Sequence, residues 1–221
     1  MFEVGGVVDN GFVGRPEKPV KAYKTPDEGV YKVNHYRVFG VDAANSKSMS
    51  AAHREARGQV LEAFSVLRRT QGFEQATLLQ VGSVLGVRES RHIKGKYQIK
   101  VADIANGTKF EDRIAVYGFG MDVHPRSSEQ TGNFKIQIAN SYYVPYRSLL
   151  PNGCDNLLVA GKTISCESQA AGGLRCMPCA MAMGQAAGAA AALANEGGIP
   201  VAAVDVPTLQ QTLQAHGAIL D

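Results

Sequence analysis

Cys176 and Cys179 enclose Met177-Pro178 at the start of an Ala-rich run, and this C-x-x-C is the sharpest chemical pattern in the sequence. A helix that begins there lowers the pKa of a thiol at its N-terminus, so such a pair can cycle between dithiol and disulfide. The plain rival is a chance pair in a packed segment, because free cysteine packs as a small hydrophobe. With Cys154 and Cys166, all four cysteines fall within 26 residues. Four thiolates can hold zinc or an iron–sulfur cluster, but only one C-x-x-C is present and the other spacings match no metal knuckle. No metal is expected. Clustered thiols behind a Met1-Phe2-Glu3-Val4 start, with no basic and apolar leader, read as reduced cysteines in the cytoplasm.

The stretch from Asn156 to Ala194 carries a second chemical signal. Leu157-Leu158-Val159-Ala160-Gly161 has the pattern of a strand buried on both faces. A Gly- and Ser-containing loop leads to Arg175, and a helix starts with Pro178 in its first turn. That order aims unpaired N–H groups and a helix dipole at a site beside the strand end. The site suits a phosphate, a carboxylate or the electron-rich edge of a reduced flavin. Gly184 and Gly188, four apart, would let a strand or cofactor approach the helix backbone closely.

The elements that must position these groups follow from periodicity. Residues 2–8, 30–41 and 78–87 read as strands, the last one buried and interrupted by Gly82 and Gly86. Val60, Leu61, Phe64 and Leu67 recur at helical spacing within an amphipathic helix over 50–70, with Gly72 as a stop. Short strands are expected at Tyr97–Val101, Ile114–Tyr117, Phe134–Ile138 and Tyr142–Tyr146. Met177–Asn195 predicts a long helix closed by Gly197-Gly198, and Pro207–His216 a final one. The Cys176–Ala194 run is apolar enough to raise a membrane span, but Gln185 interrupts it and no aromatic belt flanks it, which favours a core helix.

The chain has 221 residues and a formal net charge of +3, with 24 glycines and no Trp. Such a charge is too small to make nucleic acid or an anionic membrane the main partner. Residues 1–113 carry 18 Lys and Arg against 13 Asp and Glu, whereas the last 71 carry only Lys162 and Arg175 against five acids. The C-terminal third therefore reads as interior or interface, and the N-terminal half as a solvated rim.

Several blocks, in order, resemble one known family. They are Gly86-Val87-Arg88-Glu89-Ser90-Arg91-His92-Ile93-Lys94-Gly95, Phe110-Glu111-Asp112, Val144 to Pro151, Asp155 to Lys162, Arg175-Cys176-Met177-Pro178 and Met183 to Gly188. Together they look like the C-terminal half of FAD-dependent oxidoreductases, over most of the chain. The resemblance implies an α/β fold: a β-rich substrate-binding region at 1–150, then the C-terminal strand and helices of a glutathione-reductase-like FAD-binding domain at 151–221. It implies FAD as cofactor, a small-molecule substrate and two-electron transfer at carbon.

Residue by residue, the resemblance places Gly161, Lys162, Gly173, Arg175, Met177, Pro178 and Cys179 beside the flavin. Arg88 and Arg91 fall on the active-site face, against the plain reading of solvated rim cations. His124, in Asp122-Val123-His124-Pro125, falls on the substrate side as a candidate general base, or is simply a surface histidine before proline. Arg147 is free to pair with an acidic group on substrate or cofactor, while Tyr142, Tyr143 and Tyr146 read as core or strand-edge aromatics. The chain departs from the family pattern at Ser168 and Gln169, where His and Glu are expected. It also holds no G-x-G-x-x-G, the turn whose helix N-terminus binds the FAD pyrophosphate. The dinucleotide half is therefore expected on a partner chain, on a second copy, or lost by truncation, and this chain alone should bind FAD poorly. The alternatives are a non-catalytic subunit that completes a partner's flavin site, and a C-x-x-C thiol-redox protein.

Overall fold

The computed structural model describes residues 1–8, 22–34, 37–123 and 138–221. The chain forms two compact units, Met1–Val87 and Arg88–Asp221. That division falls within the 1–150 region, so residues 88–150 pack in the same unit as 151–221.

In the first unit, β1 (Phe2–Gly5) lies between β3 (Tyr31–Val33) and β4 (Thr77–Val81), and β2 (Ala22–Lys24) extends the sheet beyond β3. All pairings are antiparallel. Alternation sets the faces: Phe2, Val4, Tyr31 and Val33 are buried, while Glu3 and Lys32 form an ion pair at 3.3 Å. Helix α1 (Ser46–Leu67) starts where the Asn45 side chain accepts the N–H groups of Lys47 and Ser48. Its inner stripe is Val60, Ala63, Phe64 and Leu67, which pack with Phe73 in the core of this unit. Leu61 lies off the stripe and is 63% exposed. The spacing 0, 3, 4, 7 defines the apolar face, and Ala63 fills the position that hydrophobicity alone would give to Leu61. Strand β4 is also less buried than its apolar sequence predicts. It is an edge strand paired only with β1, and Leu79 is 54% exposed.

The second unit has a two-stranded sheet, β5 (Arg113–Tyr117) against β6 (Tyr142–Pro145), antiparallel. Around it lie α2 (Val101–Asn106), α3 (Ala171–Leu174), α4 (Met177–Gly197) and α5 (Val206–Ala215). Two expectations change here. Tyr97–Val101 forms no strand beyond a single bridge from Ile99 to Cys166. Instead, Asp103 Oδ2 accepts the Lys100 N–H and Glu167 Oε2 accepts the Val101 N–H, both at 2.8 Å, and these bonds start a helix. Leu157–Gly161 is not a strand: Val159 N–H bonds to Leu149 O, and Leu157 is 47% exposed. A buried parallel strand needs a ladder on both sides, and the described residues supply none. The strand expected at 134–138 lies outside the described residues except for Ile138.

Helix α4 ends at Gly198, whose φ of 61° gives the left-handed cap. Cys179, Met183, Ala186, Ala190 and Ala194 form its buried stripe. It is long and apolar enough to cross a membrane, yet only 28% of its apolar window is buried within the protein. It therefore packs by one face only. Gly184 and Gly188 lie on the open face, with nothing within 4 Å of where a Cβ would stand.

Candidate functional site

Arg88 and Glu89, neighbours in sequence, direct opposite charges into two hydrogen-bonded groups in the second unit. In the first, Arg88 Nη1 donates to Asp122 Oδ2 at 2.8 Å. Arg175 Nη2 reaches the same carboxylate oxygen at 3.1 Å and the Asp122 carbonyl at 2.9 Å. Asp122 N–H in turn bonds to Gly172 O in α3. Two guanidinium groups thus share one carboxylate immediately before α4, and Glu89 adds a second negative charge within reach of Arg175. Burial, and next the neighbouring Arg88 cation, pull Arg175 below its ordinary pKa, while Asp122 opposes them. It remains a cation under all ordinary conditions.

In the second group, Glu89 Oε2 accepts the Ser168 hydroxyl at 2.9 Å and Glu89 Oε1 lies 3.1 Å from His92 Nε2. His92 Nδ1 lies 2.9 Å from Ile164 O. Both ring nitrogens face oxygen atoms, one of the backbone and one of a carboxylate. Cys166 Sγ is 3.7 Å from Nδ1. Burial, then Glu89 and Glu167, push the Cys166 thiol up to about 12, so it stays protonated. These bonds tie the 88–92 segment to the 164–168 segment that leads through α3 into α4. Sequence reading missed this clamp. Its signals were the Glu-x-x-His spacing and the departure at Ser168, where a hydroxyl donor meets a carboxylate 79 residues away.

The start of α4 carries the thiols. Cys176 is the N-cap residue and Pro178 lies in the first turn. Ala180 N–H bonds to Cys176 O at 2.9 Å, whereas the N–H groups of Met177 and Cys179 have no backbone acceptor among the described residues. Cys179 is buried, and that burial, with Cys176 second, pushes its thiol up to about 12. Burial first, and next the neighbouring Cys176, push Tyr117 up to about 12.

The other predicted positions are less gathered. Gly161 has a φ of 85°, which glycine alone adopts easily, and open space where a Cβ would be. Lys162 is exposed in the turn that Ile164 N–H closes onto Gly161 O. At Gly173 a Cβ would stand 2.6 Å from the Tyr142 hydroxyl, so its bareness admits that tyrosine. Arg91 is exposed and makes no ion pair or hydrogen bond among the described residues. Met177 is 80% exposed. His124 lies outside the described residues. Arg147 is committed within the fold: its guanidinium lies 4.7 Å above the Tyr97 ring and 3.2 Å from Asp112 Oδ1, and its N–H bonds to Asp112 Oδ2. The Arg147–Asp112 Oδ1 contact is an ion pair without hydrogen-bond alignment. Tyr142 and Tyr146 are core residues, as expected. Among the described residues, no three His, Cys, Asp or Glu side chains converge as a metal would require.

A family model described as FAD dependent oxidoreductase matches residues 9–213. The chain therefore belongs to the FAD-dependent oxidoreductase family, with FAD as the implied cofactor and flavin oxidoreduction as the general activity. The mixed α/β architecture, with antiparallel sheets and helices, is compatible with such a domain. No curated protein and no solved structure matches the chain. The donor set fits the cofactor's chemistry: the first-turn N–H groups of α4, which have no backbone acceptor among the described residues, the paired guanidinium groups ahead of it and the open Gly161 turn all favour an electron-rich or anionic group.

Proposed function

We propose that the chain is the substrate-binding and flavin-closing part of an FAD-dependent oxidoreductase that oxidises or reduces a small molecule at carbon by hydride transfer. The observation that carries this reading is the Arg88–Asp122–Arg175 bridge, set directly before a helix N-terminus whose Met177 and Cys179 N–H groups have no backbone acceptor among the described residues. FAD, when bound, supplies the two-electron chemistry. The α4 N-terminus and Arg175 stabilise negative charge on the ring system, Gly161 and Lys162 approach it from the preceding turn, and Met177, Pro178 and Cys179 border it. Arg88 and Arg91 orient the substrate, and His124 serves as its general base. The Glu89–His92–Ser168 clamp fixes the distance between the substrate segment and the flavin segment.

The dinucleotide half lies outside residues 1–221, on a partner chain or on another segment of the same protein. Support for this is the open face of α4, where Met181 is 73% exposed beside Gly184 and Gly188. Beside that face runs a groove of about 620 Å³ lined by Leu157, Leu158, Ala187, Ala191 and Ile199. The reduced-thiol composition supports a cytoplasmic setting. The test is the visible spectrum of the purified chain, recorded after FAD is added and the sample desalted, with and without a co-expressed polypeptide carrying a strand–G-x-G-x-x-G–helix unit. The expected result is a flavin spectrum retained only by the completed assembly, and loss of that spectrum in Arg175→Ala. A completed assembly that stays colourless overturns the reading.

A further inference from the structure

We propose that Cys176 and Cys179 are a thiol–disulfide couple, oxidised reversibly by low-molecular-weight disulfides of the glutathione class, with Cys176 the attacking thiol and Cys179 the resolving one. The proposal does not rest on the flavin reading, because it needs only the two thiols and their surroundings. Cys176 caps α4 and Cys179 sits in the first turn, so their Cα atoms stand about 5–6 Å apart, within the span of a disulfide. The two differ in access. Cys176 is part-exposed beside the open Met177, whereas Cys179 is 1% exposed. An external disulfide can therefore reach the first sulfur and not the second. Cys176 stands at the N-terminus of α4, where the helix dipole favours negative charge on the attacking sulfur.

The exchange balances without any other reactant. The Cys176 thiolate attacks one sulfur of the external disulfide, which forms a mixed disulfide and releases one thiolate. Cys179 then loses its proton to solvent and attacks Cys176 Sγ, which closes the internal disulfide and releases the second thiolate. The protein loses two electrons and two protons, and the external disulfide becomes two thiols.

The test equilibrates the full chain in oxidised and reduced glutathione, alkylates the remaining thiols in acid, and maps the tryptic peptides. Cys176 and Cys179 share the peptide that follows Arg175, Cys166 lies on the one between Lys162 and Arg175, and Cys154 on the one that ends at Lys162. The expected result is a 176–221 peptide lighter by two hydrogens and unlabelled at both cysteines, reversed by excess reduced glutathione, with Cys154 and Cys166 still labelled. Cys179→Ala should stall with glutathione on Cys176, and Cys176→Ser should slow loss of the Cys179 thiol at least about tenfold. A stable mixed disulfide in the unaltered chain overturns the proposal. So does a peptide joining Cys166 to Cys179, or equal Cys179 oxidation in Cys176→Ser.

Discussion

The unit at 1–87 is held by regular elements, and the unit at 88–221 by individual bonds between segments far apart in sequence. In the first, four antiparallel strands and one helix face bury Phe2, Val4, Val33, Leu67 and Phe73, and every candidate site residue lies elsewhere. In the second, the sheet among the described residues has two strands, and much of the backbone between elements is fixed by side chains. Glu167 caps α2 from 66 residues away, Glu89 holds Ser168, and Tyr146 Oη donates to Val201 O at 2.8 Å. Irregular backbone needs such partners, since its N–H and C=O groups are not satisfied by a ladder. It also leaves polar groups pointing at whatever is bound, which is why the chemistry gathers there.

Phe73→Ala should break the comparison most severely. Phe73 is 1% exposed and meets the Tyr31 ring edge-on at 5.3 Å, so its loss should cost about 3–5 kcal/mol. Among the described residues, the two cores share none. Hydrogen exchange should therefore show β1 and β3 losing protection while β5 and β6 keep theirs. Equal loss in both units would show that they fold as one.

Gly173→Ala probes the packing of the second unit. The added methyl meets the Tyr142 hydroxyl, which donates to Phe119 O at 3.0 Å, and should cost about 1–3 kcal/mol in a thermal melt. Tyr142→Phe in the same background should restore part of that loss, since it removes the clashing oxygen. Asp122→Asn should cost less, about 1 kcal/mol, because Arg88 and Asp122 are both part-exposed and the amide still accepts a bond. Its effect on flavin retention in the completed assembly should exceed its effect on stability.

Alkaline titration separates the units more gently. Folding raises the thiols of Cys166 and Cys179 from 9.0 to about 12, so above pH 9 the unfolded chain releases protons that the folded chain keeps. Stability of the second unit should fall as pH rises from about 9 towards 12. Cys166→Ala should flatten that slope in pH-dependent denaturation, and the first unit, which contains no cysteine, should show none of it. At the acid end, Asp205 accepts the Thr208 N–H and hydroxyl, which hold its carboxyl below the usual range. Exchange protection of α5 should persist above the ordinary Asp pKa and fade as pH drops below it, while Asp205→Asn should lose that dependence.

Legibility followed the same division. Alternation at Phe2 and Val4, the stripe at Val60 and Leu67, and Pro178 with Gly198 at the ends of α4 were readable, because each is a local pattern. The Leu157–Gly161 run misled because apolar composition records burial only when neighbouring strands are present. Tyr97–Val101 misled because its helix start depends on Glu167, which no local window contains. Arg88 and Arg175 were each singled out, but their meeting on Asp122 depends on tertiary placement that spacing does not encode. His92 stood in view beside Arg91, and its partners Glu89, Ile164 and Cys166 gave it a role only once 72 residues of chain had been folded back.

The most direct measurement is an amide-resolved titration of the chain with FAD, followed by NMR or hydrogen exchange at concentrations high enough to populate a weak complex. The account predicts perturbation centred on Gly161, Arg175, Met177 and Cys179, with β1 to β4 unaffected and the response weakened in Arg175→Ala. A response centred on the first unit, or an unchanged response in Arg175→Ala, would contradict it.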